Sequence, residues 1–400
     1  MSHRIKRRLK KRAKRIARFL FYKVVFPRHY RRLCRHLEVQ KQAVFLQLRG
    51  DDLCNSFPLM MERASQAGFD CKVVLLRQYD MRYWRFIKNC YHALSAIASA
   101  KLVFLEDASN LISLIPLRSE TKAIQLWHAC GAFKKWGLST GELKFGGSTE
   151  QILKYPYYAH LDLVTVSAEE VAWAYREAMN LKASPETVQA VGVSRTDRFF
   201  DPSFRKQARV EVDQRMPALQ GREIILYAPT FRGRVAKAKA PDQLDIRLLR
   251  DTLRRHQLDQ HYCLLIRHHP FVKKLPEIPT DCQGFAYYAD PVLETDDLMC
   301  AAAMMITDYS SVMFEYSLFE RPMMFFAYDI DDYLDWRGFY YPYDQLVPGP
   351  IIKDSSTLAE AIVKANQGFD PSEIKAFRKR YMGACDGQAT ERIWQALCSF

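Results

Sequence analysis

The residues best placed to do chemistry stand where apolar runs break into polar ones. In Ile306-Thr307-Asp308-Tyr309-Ser310-Ser311-Val312-Met313-Phe314-Glu315-Tyr316 the run Ala301–Ile306 gives way to small polar side chains, and apolar residues resume at helical spacing through Phe319. That order reads as a strand, a tight turn and a helix N-terminus. Unpaired backbone N–H groups and the positive end of the helix dipole gather there, and Ser310 and Ser311 add hydroxyl donors, so an anion such as a diphosphate is the expected ligand. Asp308 in the turn either caps the helix or holds a ribose or polyol hydroxyl. A second run ends in Leu126-Trp127-His128 and puts His128 just past the carboxyl end of a strand, where open α/β sheets bind ligands. A histidine there takes a proton from an incoming hydroxyl near neutral pH; the plainer alternative is a packed strand-end histidine.

The segment 306–315 resembles the motif I-T-D-Y-S-S-x-x-F-[DE] of the CDP-glycerol glycerophosphotransferases of bacterial teichoic acid synthesis. Arg321-Pro322-Met323-Met324-Phe325-Phe326 is similar to the R-P-x-x-F-F that follows it, and Arg337-Gly338-Phe339-Tyr340 and Pro348-Gly349-Pro350 continue in the family's order. The resemblance implies the GT-B architecture and transfer of glycerol phosphate from CDP-glycerol to a hydroxyl of a lipid-linked acceptor, with release of CMP. The family's W-H-G-T-P-L-K-K-x-G motif falls on Trp127, His128, Lys134, Lys135 and Gly137. It implies that His128 is the general base and that Lys134 and Lys135 lie on the acceptor side. Ala129 to Phe133 depart from the motif, which makes CDP-ribitol the rival donor. Ile266-Arg267-His268-His269-Pro270 resembles R-x-H-P, which sets Arg267 and catalytic His269 against the diphosphate and leaves His268, out of register, as structural. Tyr227-Ala228-Pro229-Thr230-Phe231-Arg232 resembles Y-A-P-T-[WF]-R, so Thr230 and Arg232 join Thr307 and Asp308 as implied donor contacts. Gly192-Val193-Ser194-Arg195-Thr196-Asp197 looks like G-x-P-R-N-D and implies a hinge; Leu53–Phe57 resembles an acceptor-side segment.

Asp329-Ile330-Asp331 has the form of a D-x-D metal site but lies beyond the diphosphate turn, so its spacing is read as chance. Arg267, His269 and a helix terminus would supply the charge of a divalent ion, and neither metal nor cofactor is expected. No Walker A segment or dinucleotide fingerprint appears in a supporting context.

The elements that position these residues alternate. Strand-like runs fall at 43–49, 71–77, 101–105, 122–127, 162–167 and 188–192, with helical patterns at about 56–67, 84–99 and 169–180. After a polar, Arg-rich connection at about 205–222 the plan repeats at 223–228, 261–267, 285–289, 304–307 and 323–327, and helices follow at 357–366, 372–382 and 389–398. Parallel sheets with crossover helices result, giving an α/β chain of two Rossmann-like lobes facing a cleft. The expected division is an arm, 1–36; an acceptor lobe, 37–215; a CDP-polyol lobe, 216–355; and closing helices, 356–400. The Gly-containing stretch 140–151 reads as a mobile loop near the cleft.

The 400 residues carry a net charge of +14, but the first 36 hold 15 Lys or Arg and no acid, leaving 44 basic against 45 acidic residues. One basic arm on a near-neutral body suggests docking to an anionic surface rather than nucleic-acid binding. Ile5, Leu9, Ala13, Ile16, Ala17, Leu20 and Val24 share one helical face, and Phe19, Phe21, Tyr22 and Phe26 would seat among lipid headgroups. A peripheral enzyme on the cytoplasmic face of the membrane is expected, with homo-oligomerisation left open. Ten scattered cysteines without C-x-x-C fit reduced thiols. Two competing readings are a nucleotide-sugar glycosyltransferase of the same fold and a polyanion-binding assembly factor.

Overall fold

The computed structural model describes residues 3–78, 83–143, 146–233 and 237–398. The chain divides into two compact units. The first comprises Met1–His128, Trp136–Arg195 and Gln388–Phe400; the second comprises Ala129–Lys135 and Thr196–Gly387.

The first unit is built on six strands, β1 (Gln40–Gln47), β2 (Asp70–Leu75), β3 (Ala100–Leu105), β4 (Lys122–Gln125), β5 (Leu163–Thr165) and β6 (Val188–Gln189). All pair in parallel, in the order β2-β1-β3-β4-β5-β6. Alternation along β1 supplies both faces. Val44, Leu46 and Leu48 pack with the helix Tyr83–Ala98, while Ala43 and Phe45 pack with the helices Pro58–Gln66 and Ala389–Cys398. The chain order reverses at β1, so the ends of β1 and β3 flank a topological switch point.

The second unit repeats the plan with β7 (Glu223–Ala228), β8 (Tyr262–Ile266), β9 (Ala286–Tyr288), β10 (Ala302–Thr307), β11 (Met323–Phe326) and β12 (Ile351–Ile352). Their order is β12-β11-β10-β7-β8-β9, again parallel throughout. Helices Ile246–Arg255 and Ser355–Gln367 cover one face. Here β7 is the strand where the order reverses, and the ends of β7 and β10 form the switch point.

Several expectations shift. The stretch 205–222 was expected as a connection, yet Pro202–Arg215 is a helix, begun by Asp201 accepting the Ser203 N–H and supported by Arg209–Asp213 and Glu211–Arg215 ion pairs. Only Ala208 and Val212 in it are buried, so no apolar stripe announced it. The chain passes between units at His128/Ala129, Lys135/Trp136, Arg195/Thr196 and Gly387/Gln388, where a single passage at 215 is expected from sequence, and of the C-terminal helices only Ala389–Cys398 returns to the first unit. In 140–151 a short helix, Thr149–Lys154, begins; residues 144 and 145 lie outside the described set.

The arm forms the helix His3–Phe19, a π-helical turn Leu20–Val25 and the helix Phe26–His36. Ile16, Phe19 and Leu20 are exposed; the side chain of Ile5 lies outside the described residues. Phe21, Tyr22 and Phe26 are not free for headgroups. They turn into the first unit's core, where Phe26 is fully buried and meets Tyr91 edge-on at 5.8 Å.

Candidate functional site

In the first unit, β4 delivers His128 at the carboxyl edge. Trp127 before it holds φ at 61°, a left-handed conformation rare for a bulky side chain. Its N–H donates to Gln125 Oε1 at 3.1 Å, its carbonyl accepts from Ser56 Oγ at 2.7 Å, and its ring packs on Trp136 with centroids 4.6 Å apart. The strained turn is therefore held from three sides, and the His128 ring stacks on Trp127 at 4.6 Å. Gly137 lets Trp136 come close: a Cβ there would stand 2.3 Å from the Ala178 carbonyl.

His128 Nδ1 lies 2.8 Å from the Glu106 carbonyl oxygen. A carbonyl only accepts, so Nδ1 carries the proton and Nε2 keeps its lone pair, the tautomer a base requires. Crowding by protein lowers the His128 pKa; Asp107 and the Glu106 carbonyl oppose that shift, and Arg49 and Arg195 add to it. Glu106 and Asp107 follow β3 at the switch point, both buried. One oxygen from each carboxylate and one imidazole nitrogen lie within 4.8 Å of one another. Arg49 is ion-paired with Asp107, so one of the three groups already has a cationic partner. Sequence reasoning missed the acidic pair, although it ends an apolar strand by the same rule that selected His128.

In the second unit, β7 and β10 are tied at their carboxyl ends. The Thr230 N–H donates to Asp308 Oδ1 at 2.8 Å, and Thr307 Oγ1 donates to the Ala228 carbonyl at 2.8 Å. Arg232 bridges Asp308, at 2.9 Å, and Asp329, at 2.5 and 2.9 Å, and its guanidinium lies 5.1 Å from the Tyr309 ring centre. Its charge thus meets two carboxylates of its own unit, which hold it protonated despite burial. Asp329 serves Arg232, while Asp331 reaches toward Lys353 at 3.9 Å, so the D-x-D carboxylates do not converge.

Ser310 and Ser311 follow in the turn before the short helix Val312–Tyr316; Ser310 Oγ accepts the Val312 N–H at 3.4 Å. Arg267 spans the ends of β8 and β9, donating to the carbonyls of Asp290 at 3.0 Å and Leu293 at 2.6 Å, and burial lowers its pKa. His269 Nδ1 accepts the Phe271 N–H at 3.1 Å, which leaves Nε2 as the protonated, donating nitrogen of the neutral ring. The two candidate histidines therefore carry opposite tautomers. His268 points into a separate cavity of about 150 Å³ beside Tyr227 and Tyr288, and burial brings its pKa down to about 4.

Lys134 and Lys135, expected on the acceptor side, belong by packing to the second unit. Lys134 pairs with Phe339 in an isolated bridge and reaches Tyr333 Oη at 3.2 Å; the Lys135 N–H donates to the Gly338 carbonyl at 3.1 Å. Phe133 stacks on Phe339 at 4.6 Å, and Gly131, at φ 66°, lies so close to Phe314 that a Cβ would come within 2.3 Å of its ring.

Two parallel-sheet units of this kind, each with a topological switch point, make up the GT-B fold. The chain belongs to the CDP-glycerol:poly(glycerophosphate) glycerophosphotransferase family, whose model matches residues 28–399. It is 33% identical over 383 residues to the teichoic acid ribitol-phosphate primase of Bacillus spizizenii, covering 94% of this chain and 96% of that one. It is 29% identical over 315 residues to the glycerol-phosphate primase of Bacillus subtilis, 76% of each chain. A poly(ribitol-phosphate) polymerase of Bacillus spizizenii is 36% identical over 348 residues, but the match spans 86% of this chain and only 54% of that one. The fold matches that of the wall teichoic acid polymerase TagF, with a TM-score of 0.74 at 20% identity over 97% of both chains.

Proposed function

We propose that this protein transfers ribitol phosphate from CDP-ribitol to a hydroxyl of a lipid-linked teichoic-acid-type acceptor, releasing CMP. The observation that carries the reading is His128, held as the Nδ1–H tautomer at the carboxyl edge of the first sheet. Its Nε2 takes the proton of the acceptor hydroxyl, whose oxygen bonds to the β-phosphorus as the bridging P–O bond breaks. In the second unit Arg267, His269, Ser310 and Ser311 provide donors for the diphosphate, and His269 Nε2–H offers a proton to the departing oxygen of CMP. Thr230, Arg232, Thr307 and Asp308 shape that turn. The sequence put CDP-glycerol first; ribitol is preferred because the whole-length relative is a ribitol-phosphate primase and the match to a glycerol-phosphate primase is shorter and weaker. The same relative supports single addition over polymerisation. The basic arm, with Ile16, Phe19 and Leu20 exposed, brings the enzyme to the anionic membrane surface where such an acceptor resides.

The test incubates the protein with CDP-ribitol or CDP-glycerol and a lipid-linked disaccharide bearing glycerol phosphate, following CMP release and product mass. A ribitol phosphate increment is expected, reduced on the order of 10²–10⁴-fold in His128→Ala. A glycerol phosphate increment would reassign the donor, and a sugar increment or no turnover with either would overturn the reading.

A further inference from the structure

The acidic pair beside the base has no role in that reaction as so far described, and its construction is specific. Asp107 is 3% exposed in a polar cradle: its Oδ1 accepts the Ala108 N–H at 2.7 Å, its other oxygen is ion-paired with Arg49, and its carbonyl accepts from Gln125 Nε2 at 3.1 Å. Gln125 is the same side chain whose Oε1 receives the Trp127 N–H, so one residue fixes both the carboxylate's segment and the strained turn that carries His128. Glu106 is equally buried. Its Oε1 accepts the Leu48 N–H at 2.8 Å while its carbonyl holds His128 Nδ1. All these groups lie in the first unit, at the carboxyl ends of β1, β3 and β4.

We propose that Asp107 is a positioning residue for the base: its fixed carboxylate stands against the His128 ring and stabilises the imidazolium formed when the acceptor hydroxyl gives up its proton. The inference rests on the reading of His128 as base. When Nε2 takes the proton, the hydroxyl oxygen forms its bond to phosphorus, and the positive charge stays on the ring until solvent removes the proton. One carboxylate oxygen each of Asp107 and Glu106 and one imidazole nitrogen lie within 4.8 Å of one another, and two arginines add charge nearby. The Asp107 carboxylate and the Glu106 carbonyl favour the charged ring, and Arg49 and Arg195 oppose it. The Glu106 carboxyl is itself pushed up to about 7, chiefly by burial, so it carries little negative charge below neutrality and leaves Asp107 as the principal counter-charge.

The experiment uses the full chain as wild type, Asp107→Asn and Asp107→Glu. Ring-labelled histidine is titrated by NMR in the free protein, with the His128 signal assigned by its loss in His128→Ala, and the pH profile of kcat/KM is measured by CMP release. In Asp107→Asn the His128 midpoint is expected to fall by about one pH unit. The acid limb of the profile moves with it to lower pH, and the plateau drops about tenfold or more. Asp107→Glu restores the midpoint. A role confined to folding would lower yield or kcat without moving either the midpoint or the limb, and an unmoved midpoint overturns the proposal. Should Asp107→Asn fail to fold, Arg49→Gln, at a side chain 54% exposed, serves instead. Removing that cation is expected to raise the midpoint, and no change overturns the proposal. The titration needs no donor, so a wild type that releases no CMP counts against the proposed function, while the titration still decides the pairing.

Discussion

At the scale of single residues, the two histidines are distinguished by what their Nδ1 atoms meet. A carbonyl holds one as an Nδ1–H ring and an N–H holds the other as an Nδ1 acceptor, so one presents a lone pair and the other a proton. The His128 residue keeps an exposed edge, yet the protein packed around its ring holds the pKa below the ordinary 6.5, so the ring is largely neutral at that pH. The acid limb of kcat/KM is therefore expected below pH 6.5, and a limb above it would contradict the environment described. Glu106 makes a second pH prediction. Its folded pKa of about 7 lies above the ordinary 4.5, so between those values the folded state holds a proton that the unfolded state has released. Stability from this group is full below about 4.5 and is lost as pH rises to about 7. Glu106→Gln keeps an acceptor for the Leu48 N–H and removes the titration, so melting temperatures of wild type and variant should diverge as pH rises from 5 to 8, with the variant gaining. His128 and the serines were legible because their chemistry sits in short motifs. Asp107 and Glu106 were not, since an acidic pair after a strand has many uses and only the register of β3 beside β4 brings it to the imidazole.

At the scale of elements, most strands were visible as apolar runs, and their ends came within a few residues of the expected positions. What the sequence hid was amphipathicity too thin to see, as in Pro202–Arg215, and β12, whose two residues pair only because Phe325 and Phe326 lie alongside. Arg232 shows how a motif match and a packing role differ. It reads as a donor contact in sequence, yet it ties the β7 and β10 turns through Asp308, whose side chain is 2% exposed. Arg232→Gln should leave that carboxylate buried without its cation and cost about 3–5 kcal/mol, measurable by denaturant unfolding. Gly131→Ala is expected to cost about 1–3 kcal/mol in the same assay, because the new methyl meets the Phe314 ring and the backbone must keep a positive φ.

At the scale of the whole molecule, the doubly wound class of each unit was legible from alternation alone, but the chain's route between units was not. Sequence reasoning gives each lobe one continuous stretch of chain, whereas packing assembles both units from separate stretches. The arm likewise divides where its aromatic residues begin to serve the core, and among the described residues no helix is long and apolar enough to cross a membrane. Removing residues 1–18 should abolish sedimentation with anionic vesicles, and wild-type binding should weaken as salt rises; undiminished binding by the truncated form would exclude the arm. Removing residues 1–26 would be a poor test, since it takes Phe26 out of the core. The return of Ala389–Cys398 matters in another setting. Ile393 and Trp394 pack with Phe45, Phe57 and Phe104, and Glu391 accepts Arg63 Nε at 2.6 Å, so one face of the first sheet is finished by the last helix. On the ribosome, the lobe that is made first must wait until the other has been synthesised, roughly 10–40 s at 5–20 residues per second. Its birth order and its completion order are reversed, so the first lobe stays unfinished on one face until the last helix has been made.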